Sequence, residues 1–276
     1  MQVLPPDLAH AWSKVRGGLG MIRWGLFLCL VPLVCSLGHA AWILFDPDTA
    51  KGRGFLGRDD LTRVQEVALA YTAIPLGLAA LCLLFGRVKC GAAPSDSHAK
   101  GLARGAAFFT FLGLLSIGVW VAQTYFDAGT KAKVPPEVLP HVAPIAWYLI
   151  FPSVALAELL TLLFVGQIGW PVGRPSLQKG VAGFFLTAAL APTAAVIAER
   201  FYPFYFDLRY KMEDYGATTP QDILLIAFTG EDEAMAQKMM VWTVVVTAVV
   251  MLIVLRYAGV LGAGRRAIRK YMEGEV

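Results

Sequence analysis

Long apolar stretches separated by short polar segments dominate this chain. Six of them reach about 20 residues, the helical length that crosses a hydrocarbon core of ~30 Å. Backbone groups in lipid must find hydrogen-bond partners within their own segment, so each stretch is predicted to be a helix. The predicted spans are about residues 21–45, 65–86, 103–125, 143–169, 180–199 and 238–257. The pattern therefore predicts an all-α fold, a polytopic bundle of six transmembrane helices.

Composition supports this class. Of the 276 residues, 57% are hydrophobic and 16% are charged, whereas about 25% are charged in an average soluble domain. Tryptophans occur near the predicted membrane interfaces, as an aromatic belt requires; they are Trp24, Trp42, Trp120, Trp147, Trp170 and Trp242. These features exclude a water-soluble globular domain.

The basic residues predict the orientation. The N-terminus, the second and fourth loops and the C-terminus, together with the span ends that adjoin them, contain 14 of the 24 Lys and Arg residues but only four of the 20 Asp and Glu residues. The positive-inside rule then places both termini in the cytoplasm. Three segments follow: a cytoplasmic, interfacial amphipathic segment at 1–20, a transmembrane domain at 21–258 with an aromatic outer loop at 200–237, and a basic cytoplasmic tail at 259–276.

The first apolar stretch has a second interpretation. Lys14 and Arg16 precede it, and Gly38-His39-Ala40 has the small-residue pattern of a signal-peptidase site. The apolar run from Gly25 to Phe45 is longer than the apolar core of a typical signal peptide, which favours a membrane span.

One internal match suggests a tandem repeat of helical hairpins. Leu83-Leu84-Phe85 recurs 79 residues later as Leu162-Leu163-Phe164, and Lys100-Gly101 recurs as Lys179-Gly180. Tandem hairpins are common in membrane transporters. Chance recurrence under membrane constraints is the favoured interpretation, because the second and fourth spans share nothing else.

Glu158 is the only acidic residue in the middle of a predicted span. A carboxyl group there is expensive unless it faces the bundle interior, is neutral or is paired. One hypothesis makes it an ion- or proton-binding site, with a kink at Pro152 and with Thr161 one turn away. The other makes it a structural carboxyl group that holds two helices together. Both remain open at this point.

Small residues predict helix packing, and the basic tail predicts contact with lipid. Gly101 and Gly105 form a GxxxG motif at the start of the third span, and small residues recur along the fifth at three- and four-residue steps; they are Ala188, Ala191, Ala195 and Ala198. The tail is expected to contact anionic lipid headgroups through Arg265, Arg266, Arg269 and Lys270. Its spacing does not suggest nucleic-acid binding.

The sequence has no recognisable catalytic or cofactor-binding motif. It lacks HExxH, GxSxG, P-loop and GxGxxG patterns, and no His/Cys cluster has metal-ligand spacing. His39 and His141 come from different helices and could bind a haem as an axial pair. Lone membrane histidines more often hydrogen-bond between helices, so no cofactor and no metal site is predicted.

Two stretches resemble a group of uncharacterised multi-span membrane proteins of planctomycete-type bacteria. The first runs from Gly86-Arg87-Val88-Lys89-Cys90-Gly91 to Pro94 and ends at Ala99-Lys100-Gly101-Leu102. The second is Trp12-Ser13-Lys14-Val15-Arg16-Gly17-Gly18-Leu19. The resemblance implies a bacterial cytoplasmic membrane and no activity.

Three functions are compatible with these features. A non-enzymatic subunit or scaffold, packing with lipid and with other membrane proteins or further copies of itself, accounts for the scarcity of polar groups within the spans. A transporter or channel for an ion or small solute would use Glu158. A membrane enzyme or haem protein has no positive support. The sequence favours them in this order.

Overall fold

Six long helices make up most of the part of the chain that the structure describes. The computed structural model of the chain describes residues 4–45, 69–127, 139–201 and 233–275, with side chains described for most of 4–35, 71–119, 145–190 and 241–275. The helices are α1 (Pro6–Phe45), α2 (Ile74–Cys90), α3 (Lys100–Asp127), α4 (Leu139–Ile168), α5 (Ser176–Phe201) and α6 (Glu233–Met272). A π-helical turn, Leu69–Ala73, leads into α2, and a 3₁₀ turn, Ser95–Ser97, lies between α2 and α3.

The prediction of a helical membrane bundle is confirmed. Five helical stretches within the described residues are long and apolar enough to cross a membrane: Pro6–Cys35, Tyr71–Cys90, Lys100–Val119, Tyr148–Ile168 and Val244–Met272. Helix α5 contains the fifth predicted span, 180–199. Large apolar side chains such as Phe108, Phe111 and Leu115 are exposed along α3. An aqueous protein rarely exposes such a stripe, whereas a lipid-facing helix does.

Two helices extend well beyond the predicted spans. Helix α1 begins at Pro6 and continues without a break across the boundary predicted between residues 20 and 21. At about 60 Å it is twice as long as a hydrocarbon core is thick. Helix α6 likewise runs through residue 259 to Met272. The membrane limits where apolar residues are needed but does not end a helix; these extensions persist because they bury side chains against other helices. The outer loop that was predicted at 200–237 lies largely outside the described residues.

The chain divides into two compact units. Unit 1 comprises residues 1–26, 78–183 and 258–276, and unit 2 comprises residues 27–77 and 184–257. In unit 2 the rings of Phe184 and Tyr257 stack at 5.3 Å with a tilt of 39°. Unit 2 also has an open apolar groove of about 790 Å³. Residues that line it are Thr187, Ala248, Met251, Leu252, Leu255 and Arg256.

Helix α1 contributes one regular apolar stripe to the core of unit 1. The stripe recurs at alternating three- and four-residue steps, the spacing that keeps one face of a helix against its neighbours. Its members are Trp12, Val15, Leu19, Ile22 and Leu26, all buried. Helix α4 supplies Leu162, Phe164, Val165 and Ile168, and α6 supplies Leu261 and Ile268, also buried. The N-terminal part of α1 is thus packed against protein.

Helices α1 and α6 lie antiparallel in unit 1. The rings of Trp12 and Tyr271 meet edge to face with centroids 6.0 Å apart. Further along, a Cβ atom added to Gly264 would lie 3.4 Å from Leu19 Cδ1 and 3.3 Å from Val165 Cγ1. Residue numbers therefore rise along one helix as they fall along the other. Gly264 marks the place where α1, α4 and α6 meet.

Helices α1 and α2 touch almost backbone to backbone. A Cβ atom on Gly18 would lie 2.5 Å from the carbonyl oxygen of Gly86 and 2.8 Å from Cys90 Sγ. A Cβ atom on Gly86 would lie 2.6 Å from Ile22 Cγ1. Real Cβ atoms do not approach other atoms this closely, so only glycine fits at either position. Small residues allow membrane helices to approach in this way.

The two described loops, one within each hairpin that the 79-residue match would relate, differ in conformation. Helices α2 and α4 end at equivalent positions, within one residue, at Cys90 and Ile168. The first loop has its left-handed residue at His98 (φ 50°) and the second at Gly173 (φ 67°), which are not equivalent positions. The resemblance between the hairpins stops at the helix ends.

Substituting alanine for Gly18 is expected to destabilise the protein. The added methyl group overlaps backbone atoms of α2, which cannot move aside without separating the two helices, and overpacking of this kind costs about 1–3 kcal/mol. Thermal unfolding of the purified protein in mild detergent measures the effect.

Gly17 is the matched control, since a Cβ atom there would meet nothing within 4 Å. Gly17→Ala should leave stability unchanged or raise it by up to about 1 kcal/mol, the helix-propensity difference. Equal destabilisation by both substitutions would contradict the close contact of α1 and α2.

Candidate functional site

Glu158 lies on α4 and forms an ion pair with Arg87 of α2. The contact joins Glu158 Oε1 to Arg87 Nη2. Glu158 is ten residues from the end of α4 at Ile168, or ~15 Å by helical rise. Arg87 belongs to the last turn of α2. The carboxyl group that the sequence placed alone within a span therefore has a cationic partner.

Two threonines also contact Arg87. Its Nη1 donates a hydrogen bond of 2.6 Å to Thr110 Oγ1 on α3, and its Nε donates one of 2.9 Å to Thr161 Oγ1 on α4. The guanidinium group thus contacts two neighbouring helices, α3 and α4, through its three nitrogen atoms. We call Arg87, Glu158, Thr110 and Thr161 the arginine network.

The threonine hydroxyls are held in one orientation. Thr110 donates to the carbonyl oxygen of Ala106 at 2.6 Å, and Thr161 donates to that of Ala157 at 2.7 Å. A hydroxyl group has one proton to donate. With that proton committed to its own helix, each threonine presents oxygen lone pairs to Arg87, and both hydroxyls act as acceptors for the cation.

The two charged side chains differ in exposure. The Arg87 side chain is 3% exposed and that of Glu158 is 28% exposed. Arginine keeps its charge in proteins, and moving an ion out of water costs several kcal/mol unless a counter-ion and hydrogen bonds compensate. Glu158 provides the counter-ion and the threonines provide the hydrogen bonds. The arginine network can therefore join α2, α3 and α4 while one side of the carboxyl group remains accessible.

The arginine network offers no catalytic arrangement. It has no nucleophile–base pair, and within the described residues no group of three or more His, Cys, Asp or Glu residues is placed to hold a metal ion. The side chains of His39 and His141, the histidines considered for haem, lie outside those described.

Arg87 is the residue that the sequence analysis missed. By sequence it adjoins the second loop, where it contributes only to the basic excess that predicts the orientation. Thr161 was noted for being one turn from Glu158, and the structure places it on Arg87 instead. A usable signal did exist: a mid-span acid needs a counter-ion, and Arg87 directly adjoins a predicted span. Other basic residues also adjoin spans, so sequence alone does not choose among them.

The predicted packing glycines differ in their surroundings. A Cβ atom on Gly105 would lie 3.1 Å from Leu160 Cδ1, so this glycine is at a close approach of α3 and α4. A Cβ atom on Gly101 would meet nothing within 4 Å. Of the alanine series on α5, Ala188 is half-buried; the side chains of Ala191, Ala195 and Ala198 lie outside those described.

The basic residues of the tail belong to the last turns of α6. Arg265, Arg266 and Arg269 are exposed, and Lys270 is half-buried. Arg269 Nε lies 3.8 Å from Glu273 Oε1, an exposed pair one turn apart. Exposed pairs of this spacing contribute only about 0.3–0.5 kcal/mol. The tail therefore keeps most of its positive charge available to lipid.

Comparisons of this chain with protein-family models, with curated proteins and with solved structures find no match.

Replacing Arg87 by glutamine should strongly destabilise the bundle. The substitution leaves Glu158 without this counter-ion and removes the hydrogen bonds to both threonines. Breaking a buried ion pair from one side costs about 3–5 kcal/mol. Thermal unfolding in detergent should show the loss directly.

Lys89→Gln, two residues along the same helix and exposed, removes the same charge and should have little effect. Replacing both partners by apolar side chains, Arg87→Met with Glu158→Leu, should recover most of the stability. If Arg87→Gln costs no more than Lys89→Gln, the arginine network is not a stabilising element.

Proposed function

We propose that this chain is a non-enzymatic subunit or scaffold of a membrane, working by packing with lipid and with other membrane proteins or further copies of itself. The observation that supports it most is the arginine network. Its mid-span carboxyl group is bound to a buried cation and takes part in joining three helices, as expected of a structural carboxyl group. A group held in this way contributes to shape rather than to chemistry.

The outer surface supports the same proposal. Exposed apolar side chains follow α2, where Leu81, Phe85 and Val88 are each about half exposed, and α3, where Phe108 and Phe111 are exposed. Lipid tails or apolar faces of other membrane proteins cover such surfaces equally well in energetic terms. The chain therefore offers area for lateral packing on more than one side.

Transport of an ion or small solute is the second candidate. One observation favours it: the Glu158 side chain is 28% exposed beside an arginine that is almost fully buried. Intramembrane ion pairs often lie on substrate or proton pathways. A carboxyl group accessible from one side could exchange its arginine for a substrate cation.

We also propose a bacterial cytoplasmic membrane with both termini in the cytoplasm. Unit 1 brings together the described N-terminal half of α1, the two short loops and the end of α6, which are the segments that carry the basic excess. The resemblance to planctomycete-type membrane proteins supports the bacterial assignment. We call the part of unit 1 that these segments form the basic end.

Purification of the tagged protein from its native membrane in mild detergent tests the scaffold proposal. We expect stable, stoichiometric partners or a defined homo-oligomer, and a native mass well above that of one chain. Tagged protein purified in the same way after a high-salt wash controls for loosely bound material. A colourless monomer without partners would contradict the proposal, and a Soret band would indicate a haem protein instead.

Glu158→Gln separates the two candidate functions. For a scaffold, it should lower thermal stability and leave proton, sodium and potassium fluxes in reconstituted vesicles at the level of empty vesicles. For a transporter, a flux present in the wild-type protein should disappear, and flux is therefore the measurement that distinguishes the two functions. Lys89→Gln is the control for a general effect of charge. A wild-type flux that depends on Glu158 would overturn the scaffold function.

A further inference from the structure

Three arginines lie where α1 and α6 pack together at the basic end. Arg23 comes from α1, and Arg265 and Arg266 come from α6. The antiparallel packing of these helices, anchored by Trp12 and Tyr271, brings residues near the start of the chain beside residues near its end. The arginines lie close because each helix has a glycine opposite the other helix's arginine.

The two glycines form reciprocal notches. A Cβ atom on Gly20 of α1 would lie 3.7 Å from Arg265 Cζ and Nη1. A Cβ atom on Gly262 of α6 would lie 3.6 Å from Arg23 Nη1 and 3.7 Å from Arg266 Nη1. Both contacts are ordinary van der Waals distances, so the notches are not overpacked. Each guanidinium group therefore rests over a helix backbone without side-chain bulk beneath it.

The geometry at Gly262 concentrates positive charge. Because one point lies within 3.7 Å of Nη1 of both Arg23 and Arg266, the two nitrogens are at most twice that distance apart. The three atoms nearest this point, outside the helix's own backbone, all belong to guanidinium groups. Like charges at this separation destabilise one another, and an anion between them reverses the sign of that interaction.

The exposure of the arginines suits an incoming ligand. Arg265 and Arg266 are exposed, and neither forms a hydrogen bond or ion pair within the described part of the chain. Arg23 is half-buried, and its Nε is buried, so part of this guanidinium group is enclosed by the protein. Trp24, the next residue, is 66% exposed, as is typical of tryptophan at the membrane interface.

We propose that Arg23 and Arg266 form a binding site for a phosphate group at the basic end, centred over Gly262, with Arg265 beside it over Gly20. Guanidinium groups recognise phosphate through paired, charge-assisted hydrogen bonds, and two of them converge on one point here. The phosphate comes either from an anionic lipid headgroup or from a soluble phosphate. The site is independent of the proposed scaffold function, since it shares no residue with the arginine network.

The test uses the full-length protein in an uncharged detergent. Thermal stability is recorded while phosphatidylglycerol, phosphatidylcholine or inorganic phosphate is added at constant ionic strength. We expect a saturable stabilisation by phosphatidylglycerol, by inorganic phosphate or by both, and little from phosphatidylcholine. A response to the lipid alone identifies a headgroup site, and a response to inorganic phosphate identifies a soluble ligand.

Variants then locate the site. Arg266→Gln and Arg23→Gln should each raise the half-saturating concentration about tenfold, the loss expected for one charge-assisted hydrogen bond. Lys89→Gln removes one exposed positive charge from α2, outside the site, and should change the half-saturating concentration less than about twofold. If Arg23→Gln does not fold, Arg265→Gln, at an exposed position, replaces it.

Gly262→Ala tests the geometry without changing any charge. Its methyl group occupies the point between Arg23 and Arg266 and should weaken phosphate binding, whereas helix propensity favours the folded protein. Gly259→Ala, one turn away with nothing within 4 Å, is the matched control and should bind as the wild type does. Absence of any saturable response, or equal losses in Lys89→Gln and Arg266→Gln, would overturn the site.

Discussion

The buried guanidinium group of Arg87 imposes the strongest constraint on the arrangement of helices in unit 1. A permanent cation taken out of water requires both a counter-ion and hydrogen-bond acceptors. The planar guanidinium group offers its donors in fixed directions, and here those directions lead to Thr110 on α3 and to Thr161 and Glu158 on α4. Rotating either helix by one residue, about 100°, would remove an acceptor. The rotation of α3 and α4 relative to α2 is thereby determined.

Helix α1 is held by size and shape rather than by charge. Its glycine at position 18 allows contact with the backbone of α2, and its apolar stripe from Trp12 to Leu26 packs into the core of unit 1. Helix α6 then lies antiparallel to α1. This packing of α1 against α6 also has an electrostatic consequence, because it brings the positive charges of Arg23 and Arg266 together. Unit 1 thus has one cation satisfied in its interior and a cluster of cations near its surface.

These two groups of arginines suggest different roles. Arg87 is nearly inaccessible and its partners belong to the protein, which suits a structural element and supports a scaffold. Arg265 and Arg266 are exposed, which suits recognition of an external anion. A scaffold that binds anionic lipid at its basic end would be held at a defined depth in the membrane. Transport would instead require the arginine network to open and close, at a cost set by the exposure of Arg87 to water.

The sequence by itself determined the fold class, the helical spans and the asymmetry of charge. Each of these depends on quantities summed along a continuous segment, such as its hydropathy and its Lys and Arg content, and the bilayer imposes the length. For the same reason, the sequence showed that Glu158 is the only acidic residue in the middle of a predicted span. Its partner was not, because α2 and α4 are apolar on both their buried and their lipid-facing sides, and periodicity then gives little information about helix rotation.

Only the tertiary structure decided which residues meet. It paired Glu158 with Arg87, placed Gly18 and Gly86 rather than Gly101 at the closest helix contact, and brought Arg23 beside Arg266. These choices depend on how separate helices rotate and slide against one another. That arrangement is set by close packing and by satisfaction of buried polar groups across the bundle, and no local stretch of sequence contains this information.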